Sequence, residues 1–310
     1  MNQGAIRKLR RSPHARLAMM ATALVMTLVV ACSGGGGESA VNDRALEDEV
    51  FLFLISSDAG PGENRMPFAL RRADGGRVDV DSGAITLQYR HRDSGPVKTA
   101  PAATFRQWPV GNGIFTTQVT YDRAGLWDFT VTLAYPDGTT GNATATTLVK
   151  EISSTPAIGS RAPATASKTG STPEELALIT SAQTPIPEMY AVSFDDALET
   201  GRPVVVTFST PAWCTSQTCG PQVDTVDEVR RNHIGEASFI HIELFDNPAI
   251  MRESGDPSLG VDSPVVEPWG LPSEPWTFIV DGDGLIAAKF EAYTTSSELE
   301  EALAEVLGSG

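Results

Sequence analysis

An all-β sandwich followed by an α/β domain is the architecture this sequence predicts, and three observations predict it. Between Glu47 and Lys150, short stretches alternate apolar and polar residues and are punctuated by turn residues. From Ser193 onward, apolar runs of strand length interleave with helix-patterned segments. Between the two, from about Ser153 to Thr184, the chain is rich in Ser, Thr, Ala, Pro and Gly and poor in large apolar residues, as a linker is. At 310 residues the chain is too long for one small domain, and it shows no internal repeat.

Residues 1–31 read as an export signal. Arg7, Lys8, Arg10, Arg11 and Arg16 accompany no acidic residue, and an apolar stretch runs from Leu17 to Ala31. The run Leu28-Val29-Val30-Ala31-Cys32 resembles the lipobox of bacterial lipoproteins, with Val29 where Leu is commoner. That resemblance implies that Cys32 carries a lipid and becomes the first mature residue. The alternative is an uncleaved anchor, for which the run is short against a span of about 20 residues. Either way the rest of the chain faces outside the cell. Arg10-Arg11 before Ser12-Pro13-His14 fits twin-arginine export poorly. Residues 32–46, with Gly34 to Gly37 in a row, read as a flexible tether.

The chain carries 23 Lys+Arg and 39 Asp+Glu. Five basic residues leave with the signal, so the mature charge is 18 − 39 = −21. So acidic a body repels nucleic acid and anionic lipid, and nucleic acid is excluded as a partner. Of the three cysteines, one is taken by lipid, and Cys214 and Cys219 remain as a pair.

The first domain, residues 47–150, reads as strands at Val50–Ile55, Ala84–Arg90, Ile114–Tyr121, Leu126–Leu133 and Ala143–Val149. The stretch from Gly62 to Phe68 reads as a rigid turn or loop entering a strand. The phrase from Tyr121 through Leu133, followed by Pro136-Asp137-Gly138, resembles the immunoglobulin-like modules of exported bacterial proteins. The resemblance implies an immunoglobulin-like sandwich that binds a partner or acts as a spacer. The domain has no His-Met or carboxylate cluster to suggest a metal site.

The second domain, residues 187–310, follows a linker over 151–186. Ser193 caps a short helix that Gly201 ends. Val204–Phe208 and Ala237–Phe245 read as buried strands and Gln222–Asn232 as a helix between them. Trp276–Val280 and Leu285–Phe290 form a hairpin about Asp281-Gly282-Asp283-Gly284. The last helix is expected to start at Ser297, with Glu300 completing a capping box. The order is α-β-α-β-(α)-β-β-α.

Trp213-Cys214-Thr-Ser-Gln-Thr-Cys219-Gly220-Pro221 sits between the first long strand and a helix start. That placement suits thiol chemistry, because a helix N-terminus offers unpaired N–H groups and a positive dipole end to a thiolate. A second cysteine nearby can resolve a mixed disulfide. The element order, Asn247-Pro248, the run Trp269-Gly270-Leu271-Pro272-Ser273-Glu274-Pro275 and the Asp-x-x-Gly hairpin resemble the exported, membrane-tethered thioredoxin-like proteins over about residues 188–308. The resemblance implies thiol–disulfide exchange with Cys214 attacking, Cys219 resolving, Trp213 beside them and Pro275 cis and facing the pair. Glu274 would then stand next to Cys214, either coupled to its thiol or pointing to water.

The departures are informative. Four residues, not two, separate the cysteines. Five helical steps rise about 7.5 Å, and a disulfide needs its Cα atoms within about 7 Å, so Cys214 lies outside the helix or the first turn is unwound. Gly220-Pro221 permits this. Thr207 stands on the strand where that family keeps a buried acid. A segment of roughly a dozen residues, about Glu253 to Val266, is inserted ahead of the cis-proline run and shapes a substrate groove. No cofactor and no metal are implied. The implied partners are thiols and disulfides of exported proteins and an unnamed redox partner, met at the outer face of the membrane that holds the lipid. Three other readings stay open: a non-enzymatic adaptor with a structural disulfide, a thiol peroxidase without the expected Arg near the hairpin, and a copper chaperone using His241 or His233.

Overall fold

The computed structural model describes residues 49–78, 81–111 and 113–308; the expected export signal, Cys32 and the expected tether lie outside them. Among the described residues no helix is long and apolar enough to cross a membrane.

The first domain is two antiparallel sheets over one core. Strands β1 (Val50–Leu54), β2 (Gly62–Arg72), β5 (Thr104–Arg106) and β6 (Ile114–Tyr121) pair in the order β1-β2-β6-β5. Strands β3 (Ile85–His91), β4 (Lys98–Thr99), β7 (Gly125–Ala134) and β8 (Thr140–Val149) pair in the order β4-β3-β7-β8. Period-2 patterning explains the layering. Trp127, Phe129, Val131 and Leu133 of β7 all point inward. Tyr121 of the first sheet meets Trp127 of the second edge-on at 5.0 Å. Each such side chain contributes roughly 1.5–3 kcal/mol when fully buried.

One expectation is corrected here. Gly62 to Phe68 is no turn but the first half of β2, paired with β6 from Gly62↔Tyr121 to Phe68↔Phe115. Its alternation is hidden because Met66 to Leu70 are buried on both faces. Pro67 is tolerated where the pairing of β1 runs out, at Leu54↔Phe68. The short strands β4 and β5 carry too few residues to show a period.

In the second domain, β9 (Val204–Ser209), β10 (Ser238–Glu243), β11 (Trp276–Val280) and β12 (Ile286–Glu291) form one mixed sheet in the order β10-β9-β11-β12. β10 runs parallel to β9, and β11 runs antiparallel to β9 and β12. The apolar run of β9 is continuous because both faces are covered. On one face Val204, Val206 and Phe208 pack with Phe194, Trp269 and Phe278. On the other, Val205 packs with Val223, Val226, Leu299 and Leu303. The helices are α1 (Pro173–Ile179), α2 (Phe194–Glu199), α3 (Cys219–Asn232), α4 (Pro248–Ser254) and α5 (Ser296–Gly308). The capping box of α5 is displaced by two residues: Thr295 and Glu298 bond each other's backbone N–H, while Glu300 accepts from Asn232 and pairs with His233.

The Ser-, Thr- and Pro-rich stretch between the domains is packed rather than slack. Gly159 and Ala162 donate to Ile286 and Gly284, and Ile286 donates back to Ser160. α1 has a full capping box of Thr172 and Glu175. At the start of the stretch the Asp58 side chain is completely enclosed. It accepts from Lys150 Nζ at 2.9 Å, Ser154 N–H at 2.8 Å, Thr155 N–H at 3.0 Å, Thr155 Oγ at 2.7 Å and the Ser153 hydroxyl. The outer face of the sheet containing β2 meets the second domain. Arg65 donates to Glu298 at 2.9 Å and to the Glu291 carbonyl at 3.1 Å, and Arg106 donates to Ser297 at 2.9 Å.

Burial raises the Asp58 pKa, but the bonds from Ser153, Thr155, Lys150 and Ser154 outweigh it and hold the carboxyl well below the usual carboxylate range. A depressed folded-state pKa means that this stabilisation is complete above an unfolded value of about 3.9 and is lost as pH falls below it. Replacement of Asp58 by Asn should lower stability by about 2–4 kcal/mol at pH 7 in urea titrations. The gap between variant and parent should narrow as the titration is repeated toward pH 3; a gap constant with pH would mean that the carboxylate charge is not the cause.

Candidate functional site

The central strand β9 ends at Ser209, and a turn closed by Trp213 N–H on the Thr210 carbonyl at 3.1 Å delivers Trp213 and Cys214. α3 starts at Cys219 itself, with Thr218 as its N-cap residue. Cys214 therefore lies outside the helix, and its Cα is 5.9 Å from that of Cys219 across a disulfide. The four residues between form a tight loop in which Gln217 adopts φ 60°, a left-handed conformation that a non-glycine residue holds only under constraint. The Cys219 N–H donates to Cys214 Sγ at 3.2 Å, so an amide of the first helical turn is satisfied by sulfur.

The two cysteines differ in access. Cys214 is partly exposed, whereas Cys219 is fully buried. Opposite them the Glu274–Pro275 peptide is cis. The Glu274 carboxylate does not bond sulfur. It accepts from Thr215, from the hydroxyl at 2.7 Å and the N–H at 3.3 Å. Ser216 bridges Cys214 Sγ at 3.2 Å and Thr218 Oγ at 2.8 Å, and donates to the Glu274 carbonyl at 3.4 Å. The loop and the cis-proline turn thus hold each other. Thr207, on the strand below, pairs with Thr277 at 3.1 Å. Neutral hydroxyls occupy this part of the core.

One cleft reaches Trp213, next to Cys214 in the chain, and another reaches Glu274 of the cis-proline turn. The first, of about 620 Å³, is lined by Trp213, Ala212, Leu176, Pro185 and Pro187 and is the more apolar. The second, of about 630 Å³, runs beside Glu274 and is walled by Phe245, Asp262, Pro264, Val266 and Leu271. The inserted segment builds that wall, since Asp246 N–H donates to Val261 and Ser263 N–H donates to Leu244, both to carbonyls.

Beneath the Thr210–Trp213 turn lies a buried polar chain. His241 places Nδ1 2.6 Å from the Tyr190 hydroxyl and Nε2 2.8 Å from Ser209 Oγ. Burial pushes its pKa down to about 4, so the ring is neutral near pH 7. His233, at the other end of α3, spends its nitrogens on Glu236 and Glu300. Neither histidine is offered to the sulfurs, and among the described residues no group of three His, Cys, Asp or Glu side chains could hold a metal ion. Glu243 was not singled out from the sequence. It is buried at the end of β10, its pKa is raised by that burial, and Oε2 accepts from Ser181 N–H at 2.8 Å. Ser181 Oγ in turn accepts from Ala212 N–H, next to Trp213. The signal was available: an acid inside the apolar run Ser-Phe-Ile-His-Ile-Glu.

No family model matches the chain, and no curated protein matches it. Solved structures to which it is similar include a thiol:disulfide interchange protein of the thioredoxin family from Chlorobium tepidum, at 15% identity, over 48% of this chain and 100% of that one, with a TM-score of 0.30. A DsbF homologue from Corynebacterium diphtheriae is 20% identical over 37% of this chain and 78% of that one, TM-score 0.29. StoA from Bacillus subtilis is 13% identical over 41% of this chain and 94% of that one, TM-score 0.29.

Replacing Glu274 by Gln removes a negative charge that the cis-proline turn places on Thr215, next to Cys214. With the pair reduced, Cys214 should alkylate with iodoacetamide about two- to three-fold faster at pH 7, because a nearby anion disfavours the thiolate. Unchanged rates would leave Glu274 as a loop anchor only.

Proposed function

We propose that the protein is an exported thiol–disulfide oxidoreductase, held at the membrane by a lipid on Cys32, that works through the Cys214–Cys219 couple. The asymmetry of the pair carries this reading: one sulfur is accessible at the end of the central strand, the other is buried in the first turn of α3. A client thiolate attacks Cys214 Sγ, the bond to Cys219 breaks, and Cys219 leaves as a thiolate in the first turn of α3, at the positive end of the helix dipole. A second client thiolate then attacks the mixed disulfide at the client sulfur. The client gains a disulfide, and the pair gains two electrons and two protons. The reverse sequence reduces a client, and the redox partner sets the direction. Trp213, Glu274 and Pro275 frame the approach, and the sandwich is an immunoglobulin-like module.

A structural disulfide in a non-enzymatic adaptor is the second reading. The bonds from Thr215 and Ser216 to Glu274, which pin the loop shut, favour it.

In a Cys219→Ser protein offered a client disulfide, a mixed disulfide should accumulate on Cys214, and Cys214→Ser should trap none. The couple should also titrate above about −300 mV, the range below which structural bridges fall. If neither variant traps a client and the native bridge resists dithiothreitol, exchange is the wrong function.

For the anchor, mass spectrometry of membranes should find acylated Cys32 and no peptide from residues 1–31. A Cys32→Ser protein retained in the membrane through an intact N-terminus would select the uncleaved alternative.

A further inference from the structure

The cis-proline turn is held from behind by Glu291 and Ala292. The Pro275 carbonyl accepts from Ala292 N–H at 2.9 Å. Ser273, two residues before Pro275, donates its hydroxyl to Glu291 Oε1 at 2.7 Å and accepts from Trp276 Nε1 at 3.1 Å. Ala292 adopts φ 62°, so its backbone sits in a left-handed conformation that its side chain disfavours and that its surroundings must impose.

Those surroundings belong to the other domain. Ser57, just past β1, donates its N–H to Glu291 Oε2 at 2.8 Å and its hydroxyl to Oε1, and lies 3.3 Å from Ser273 Oγ. Arg65 of β2 donates to the Glu291 carbonyl at 3.1 Å, the peptide group that leads into Ala292, and pairs with Glu298 at 2.9 Å with both side chains buried. The sandwich therefore grips Glu291 at its carboxylate and its carbonyl, and Glu291–Ala292 in turn grips Ser273 and Pro275. A spacer would need no such contacts to the turn that faces the disulfide.

We infer that the sandwich is a positioning part of the exchange site, setting the cis-proline turn through Ser57 and Glu291. This rests on the exchange function proposed above and adds to it the part played by the first domain. A polypeptide client must fit between Cys214 and the turn, whereas a small thiol need not, so the link should matter for the first and little for the second.

The test uses Ser57→Ala, Glu291→Gln and the double variant. Reduction of the Cys214–Cys219 bridge is timed with a single-cysteine peptide and with dithiothreitol, and amide hydrogen exchange is followed at Ala292. In each variant the peptide rate should fall about five-fold relative to the dithiothreitol rate, the factor expected from one ordinary hydrogen bond. Ala292 exchange should quicken by a similar factor, and the double variant should be no worse than Glu291→Gln, since both act along one path. Unchanged Ala292 exchange would overturn the inference. So would an unchanged rate ratio in a parent that reacts with the peptide, or a uniform loss of protection across the second domain. A parent that ignores the peptide while Ala292 still responds would sink the exchange function and leave the mechanical link standing.

Discussion

The Asp58 carboxylate is shut away from water, and its donors come from the short segment Lys150 to Thr155 that leaves the sandwich. Burying a charge costs several kcal/mol, while hydrogen bonds to charged groups contribute about 1.5–3 kcal/mol each. The donors together therefore exceed the penalty, and the segment has one low-energy course. Lys289 of β12 donates to Ser153 and Thr155 at 2.9 Å and joins the second domain to the same knot. The Ser154 carbonyl then lies against Gly270, where a Cβ would collide and where φ is 57°. Gly270 is the second residue of the run from Trp269 to Pro275. One enclosed carboxylate thus ties the exit of the first domain to the approach to the disulfide.

The spacing of the cysteines follows from the same economy of backbone. A helix through both would separate their Cα atoms by a rise of about 7.5 Å along the axis alone; starting α3 at Cys219 and looping the four residues before it brings them to 5.9 Å. The loop then has polar groups to satisfy, and Glu274, Ser216 and Thr218 satisfy them. Below it the core is polar but neutral: Thr207 with Thr277, and His241 with Tyr190 and Ser209. Glu243 keeps to the same pattern: Oε2 accepts from Ser181 N–H, and burial favours the protonated, neutral acid.

Much of the fold was legible in the letters, because it rests on local pattern. The alternation from Ile114 to Tyr121 and from Trp127 to Leu133, and the unbroken apolar run of β9, report directly which faces are covered. Trp213, Cys214 and Cys219 were legible because they stand in one short phrase after the apolar run of β9, and the cis peptide at Pro275 was legible only through the resemblance of the run from Trp269. The strand over Gly62–Phe68 was not legible, because packing of the sheet's outer face against the second domain erased its period. The packed course of residues 153–184 was not legible either, since Ser, Thr and Pro look the same in a tether and in a knot of side chain to backbone bonds.

What the sequence by itself determined is the order of the elements, the inward faces of the strands and the identity of the sulfur pair. Only the tertiary structure decided that Cys214 leaves the helix, that Glu274 bonds Thr215 rather than sulfur, and that Ser57 reaches Glu291 across a sequence separation of 234 residues. The physical reason is range. Hydrophobic periodicity is written into neighbours a few residues apart, whereas a hydrogen bond between two irregular segments leaves no period in either, and exists only once both domains have folded and docked.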